Sequence, residues 1–149
     1  MKIALDSNVL LYAEGLGDER RVQTAFSLIE VLPESTSISV QALGEVYNVM
    51  VRKGGFSRDE AHHAASRWQA RFSTTDVDHA VMTQALVLAA RYQLSIWDAV
   101  QLAAAAAAGC EMLLTEDLQD GFHWGGVEVV NPFLTRRREW LETRLREDG

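Results

Sequence analysis

The chain has 149 residues, 48% of them hydrophobic and 23% charged, which is ordinary for a globular protein and suits one domain with a buried core. No apolar run reaches the roughly 18 residues of a membrane span, so no membrane partner is expected, and a single cysteine, Cys110, rules out an internal disulfide. The formal net charge of −7 argues against a protein that coats nucleic acid through a basic surface, but not against an enzyme whose clustered carboxylates are neutralised by metal ions.

Residues 2–5 read as a strand, and "VLLYA" after them as the start of a short helix. Residues 20–32 place Val22, Ala25, Phe26, Ile29 and Leu32 at helical spacing, and Pro33 ends that helix. The β-branched stretch 35–40 predicts a strand, and 41–55 a helix that stops at Gly54-Gly55. "SRDE" at 57–60 is a capping box and starts a helix to about Arg71. A strand is expected over 73–77, a helix over 78–92 capped by Asp78, and a helix over 95–109 capped by Ser95 and closed by Gly109. The alanine run within it, Ala103 to Ala108, favours helix and allows close packing on a sheet. Residues 111–115 read as a strand, 116–121 as a loop, 127–130 as a strand, and the Arg-rich tail as a helix. Strands that alternate with helices predict an α/β fold with a central, mainly parallel sheet. The N-terminus carries no signal-peptide pattern, so a cytoplasmic location is expected.

Ligands of such sheets bind beyond the C-terminal ends of the strands. Asp6 directly follows the first strand, and Asp117 lies two residues beyond Thr115 at the end of the 111–115 strand. Asp98 falls in the first turn of its helix, and Glu45 just over one turn into the helix after the 35–40 strand. Each has a plainer reading. Asp6 suits a helix cap, Asp98 completes a Ser-x-x-Asp helix start, and Asp117 and Asp120 suit turns. Glu45 is harder to dismiss, because Ala42, Val46 and Val49 put it at or near an apolar helix face. Four hard oxygen donors without cysteine or histidine partners suit Mg²⁺ or Mn²⁺.

"ALDSNVLLYA", "QALGEVYNV", "SIWDAVQLAAA" and "LLTEDLQDG", in that order, resemble the four acidic segments of PIN domains, in particular of VapC-type toxin ribonucleases. The resemblance runs from Lys2 to about Phe133. It implies a PIN-like three-layer fold with a nuclease domain over 1–134; the Arg-rich tail 135–149 is less typical of the family, and is expected to be helical and part of the same unit. It also implies an acidic quartet of Asp6, Glu45, Asp98 and Asp117, with Asn8, Thr115 and Asp120 as accessory residues. The implied activity is endonucleolytic cleavage of RNA with Mg²⁺, for which Mn²⁺ substitutes. The implied partners are an RNA substrate, a cognate antitoxin protein and a second copy of the chain in a homodimer. Two rival readings stand beside it. A haloacid-dehalogenase-type phosphotransferase wants Asp-x-Asp where this chain has Asp6-Ser7-Asn8, and it wants a well-placed lysine where this chain has only Lys2 and Lys53. The other is a catalytically inactive PIN-like module that binds RNA or protein.

Overall fold

The computed structural model describes residues 1–148. In chain order the elements are β1 (Ile3–Leu5), α1 (Ser7–Ala13), α2 (Glu19–Val31), β2 (Ser37–Ser39), α3 (Val40–Arg52), α4 (Arg58–Arg71) and β3 (Ser73–Thr75). They continue with α5 (His79–Tyr92), α6 (Ile96–Ala107), β4 (Met112–Leu114), β5 (His123–Trp124), β6 (Val127–Val130) and α7 (Thr135–Asp148). The expected tail helix thus runs to Asp148, and Gly149 lies outside the described residues.

Short polar caps mark where helices begin. Asp18, Ser39, Ser57, Asp78 and Ser95 each accept a backbone N–H of the first helical turn, satisfying a donor that has no partner within the helix. Ser57 and Glu60 close the reciprocal capping box. Glycine closes α3: a Cβ on Gly54 would meet the Met50 carbonyl oxygen at 2.9 Å, and Gly55 takes a left-handed φ of 72°.

The sheet runs β3-β2-β1-β4-β6-β5, parallel throughout except for the final pair. The strand β5 is absent from the sequence reading. It forms a hairpin with β6 through Gly125 and Gly126, both at positive φ, which is the two-residue turn that Gly-Gly favours. That dipeptide was the signal available in the sequence.

Side chains alternate across the strands and divide the core into two layers. Ile3, Leu5, Met112, Leu114 and Val130 face α1–α4 and α7, while Ala4, Leu113, Val127 and Val129 face α5 and α6. Ala103, Ala104 and Ala105 are buried on the second side, where small side chains let α6 lie close to the sheet. Leu141 of α7 is fully buried in the first layer, so the tail packs on the same core as β1. No helix among the described residues is long and apolar enough to cross a membrane.

The chain leaves β1 toward β2 and β3 on one side, then returns to place β4 on the other. β1 and β4 therefore flank the switch point, where the loops diverge and leave a crevice above the strand ends. Asp6 and the 115–117 segment emerge there from neighbouring strands, with Leu5 opposite Leu114 in register.

Candidate metal centre

Asp6 is locked in place by its surroundings. Its backbone N–H donates to the Leu114 carbonyl at 3.1 Å, extending the β1–β4 ladder by one residue. Its Oδ1 accepts the Ser7 N–H at 2.7 Å, and its Oδ2 accepts the Thr115 hydroxyl at 2.8 Å. The side chain thus caps α1, the plainer reading of Asp6, while the same carboxylate faces the crevice. Only 2% of Asp6 is exposed.

Thr115 and Asn8 tie the two strand ends together. The Thr115 hydroxyl donates to Asp6 and accepts both the Asn8 amide at 3.0 Å and the Asp117 backbone N–H at 3.1 Å. The Asn8 amide also lies 3.1 Å from Asp117 Oδ2. Asp98 arrives from the opposite layer, on the first turn of α6, whose start Ser95 fixes by accepting the Asp98 N–H at 3.1 Å.

Asp6, Asp98 and Asp117 each offer a carboxylate oxygen within 4.8 Å of the others. Glu45 stands at one remove. Its Oε2 accepts the Ser7 hydroxyl at 2.5 Å, its Oε1 accepts the Gln41 amide at 2.9 Å, and the same hydroxyl lies 3.5 Å from Asp6 Oδ1. Ser7 and Gln41 received no role in the sequence reading. Gln41, one helical turn before Glu45, had a visible signal in its i, i+4 spacing.

Asp120, expected as an accessory acid, is not brought into this group. Its Oδ1 accepts the Asn131 N–H at 2.8 Å and Arg137 Nε at 2.9 Å, so its charge is spent on α7. The plainer reading of Asp120 as a loop residue describes it better.

The electrostatics of the three-acid group are unfavourable as they stand. Burial pushes the Asp6 carboxyl up to about 7; the Thr115 and Ser7 hydrogen bonds oppose this, and the charges of Glu45 and Asp117 add to it. Asp98 is also raised, first by burial and then by Asp117 and Glu45. Among the described residues, no lysine, arginine or histidine forms an ion pair with any of the four acids. Two like charges at such a separation repel by about 3 kcal/mol at an effective dielectric constant of about 20. A donor set made only of hard oxygens, with uncompensated charge, fits a divalent cation of the Mg²⁺ type.

The three acids grade outward, from buried Asp6 through half-buried Asp98 to exposed Asp117. A groove of about 360 Å³ elsewhere, between α2 and α7, is lined by Thr24, Leu28, Val31, Arg138 and Leu145 and contains none of the four acids.

No curated protein matches the chain. Among solved structures, Mycobacterium tuberculosis VapC20, a Sarcin-Ricin loop cleaving toxin, superposes with a TM-score of 0.65 at 23% identity, over 74% of this chain and 86% of that one. A toxin–antitoxin complex from Klebsiella pneumoniae gives a TM-score of 0.63 at 22% identity, over 87% and 97%. VapBC2 from Rickettsia felis, bound to a DNA fragment from their promoter, gives 0.64 at 14% identity, over 88% and 98%. At these identities the likeness is one of fold. The sequence pattern of the PIN domain matches residues 3–122, most of the chain, and this protein belongs to the PIN domain family.

Proposed function

We propose that this protein is a metal-dependent endoribonuclease and the toxin of a toxin–antitoxin pair. The observation that carries the reading is the convergence of Asp6, Asp98 and Asp117, with no cation beside them, at the switch point of a PIN domain. The toxin assignment draws support from the structural neighbours, several of which are toxins or toxin–antitoxin complexes.

Asp6, Asp98 and Asp117 are the residues that would hold Mg²⁺, or Mn²⁺ in its place. A bound divalent ion supplies charge neutralisation at the phosphodiester and activation of water. The protein's own part is preorganisation. Thr115 and the Ser7 N–H orient the Asp6 carboxylate, Asn8 spans Thr115 and Asp117, and Ser95 sets the start of α6 below Asp98. Glu45, held by Ser7 and Gln41, adds a fourth negative charge and completes the acidic quartet. An acidic crevice of this kind also suits an antitoxin that inserts a basic side chain, such as arginine, among the carboxylates. The reading includes a homodimer and a cytoplasmic location.

The test is an RNA cleavage assay across a titration of Mg²⁺ and Mn²⁺. Cleavage should vanish in excess EDTA, return on adding metal, and leave a 5′-phosphate and a 3′-hydroxyl. Undiminished cleavage in EDTA, or a 2′,3′-cyclic phosphate product, would overturn the reading.

A further inference from the structure

Regular structure fixes three of the four acids: Asp6 follows β1 and caps α1, Glu45 lies within α3, and Asp98 lies in the first turn of α6. Asp117 is different. It is exposed and sits on the loop between β4 and β5, held outside helix or strand by its N–H to the Thr115 hydroxyl and by the Asn8 amide. Both acids that flank it along this loop are tied to arginines from distant helices. Glu116 accepts Arg21 Nε at 2.9 Å and also the Tyr12 hydroxyl. Asp120 accepts Arg137 Nε at 2.9 Å and the Asn131 N–H at 2.8 Å.

The two ties differ in burial. The Arg21 side chain is 44% exposed and is shared with Asp18, whereas Arg137 is 19% exposed. Arg137 also pairs with Glu128 of β6 and stacks 4.4 Å over the Trp140 ring. A guanidinium held by two carboxylates and an aromatic face has little freedom, so it makes a firm anchor. Arg137 belongs to the Arg-rich tail, beyond residues 3–122, and the proposed chemistry leaves it without a task.

We infer that Arg137 is a positioning residue. By holding Asp120 it fixes the loop that presents Asp117 to Asp6 and Asp98, and so it raises the affinity of the acidic group for a divalent cation. A loop ordered in advance loses less conformational entropy when a ligand binds. The affinity part rests on the metal reading above; the tie between Arg137 and the loop does not.

Two measurements on the full chain test this. The first is amide hydrogen exchange over residues 116–121 in EDTA. The second is the Kd for Mn²⁺ by calorimetric titration. Arg137→Gln should speed exchange in the loop while leaving α6 protected, and should raise the Kd about tenfold, as loss of a group that orients a ligand commonly does. Arg137→Lys keeps one ion pair to Asp120 and should fall between. Arg21→Gln, at the more exposed tie, should have the smaller effect. Trp68→Ala loosens the core at α4, away from the loop and from α7, and should leave the Kd unchanged below its melting temperature. If Arg137→Gln does not fold, Asp120→Asn removes the same ion pair and takes its place. An unchanged Kd in the tie-breaking variant, or an equal rise in Trp68→Ala, would overturn the inference. If the wild type shows no saturable Mn²⁺ binding, the metal reading fails, and the exchange rates alone decide whether Arg137 holds the loop.

Discussion

Two acidic clusters lie on either side of one short loop. Asp120 and Glu128 share the guanidinium of Arg137. Among the described residues, Asp6, Asp98 and Asp117 share no lysine, arginine or histidine partner. In the first cluster the protein supplies its own cation, and each acid stabilises the fold. In the second it supplies none, and burial raises the carboxyls of Asp6 and Asp98. A count of acids does not mark a candidate site, whereas acids gathered without a counter-charge do.

The sharpest way to break this comparison is through activity. Asp98→Asn keeps the side-chain size and removes one charge from the uncompensated group. RNA cleavage should fall on the order of a thousandfold or more, equivalent to about 4 kcal/mol of barrier. Glu128→Gln, in the compensated group, should lower cleavage by about tenfold at most, because Asp120 still holds Arg137. Equal losses in the two variants would erase the distinction.

Metal-linked stability comes next. A ligand that binds only the folded state stabilises it by about 2.7 kcal/mol at a hundredfold excess over Kd. Thermal melts in Mn²⁺ against EDTA should show this gain for the wild type and for Glu128→Gln, and much less of it for Asp98→Asn or Asp6→Asn. If Mn²⁺ raises wild type and Asp6→Asn equally, Asp6 is a cap and not a ligand.

The pH dependence of the metal-free protein follows with a definite sign. The folded-state pKa of Asp6, about 7, lies above its ordinary value of 3.8, so between these values the folded state binds more protons than the unfolded state. Stability in EDTA should therefore rise as pH falls from 7 toward 4, by about 2 kcal/mol between pH 7 and 5 for this group alone. Asp18 and Glu60, held low by cap hydrogen bonds, act in the opposite direction once the pH falls below the ordinary carboxylate range. Denaturant melts at pH 7 and pH 5 check the sign. In Asp6→Asn the rise should shrink.

The smallest effect is the most diagnostic of the contrast. In EDTA at pH 7, removing an acid from the uncompensated group relieves repulsion, so Asp98→Asn should melt at or slightly above the wild-type temperature. Removing Glu128 from the compensated group leaves Arg137 short of a partner, and Glu128→Gln should lose about 1 kcal/mol. Shifts of the same sign would show that the two clusters do not differ in kind.

Much of the fold is legible from local chemistry. Ser57-x-x-Glu60, Asp78 and Ser95 announce their helices because a cap satisfies backbone donors within a few residues of itself. Residues 2–5 and 111–115 announce strands by short apolar runs, observed as Ile3–Leu5 and Met112–Leu114. The two-residue strand β5 escaped because it carries no periodicity of its own and exists only through the turn at Gly125-Gly126. The four principal acids were visible as polar residues just past strand ends or early in helices. Their grouping was expected from the strand-end rule and the family resemblance; the contacts that make it were not, because Asp6 and Asp117 are neighbours only through the pairing of β1 with β4.

The sequence by itself determined where helices and strands begin, which strand faces are apolar, and that carboxylates stand where strands end. Those properties are set by caps, periodicity and turn residues acting over a few positions. The tertiary structure decided which carboxylates keep their charge for a ligand. Asp117 and Asp120 lie three residues apart on one loop and look alike in sequence. Asp117 joins Asp6 and Asp98. Asp120 turns to Arg137, which the packing of α7 through Leu141 brings beside it. An ion pair depends on separation in space, and no local pattern encodes that separation.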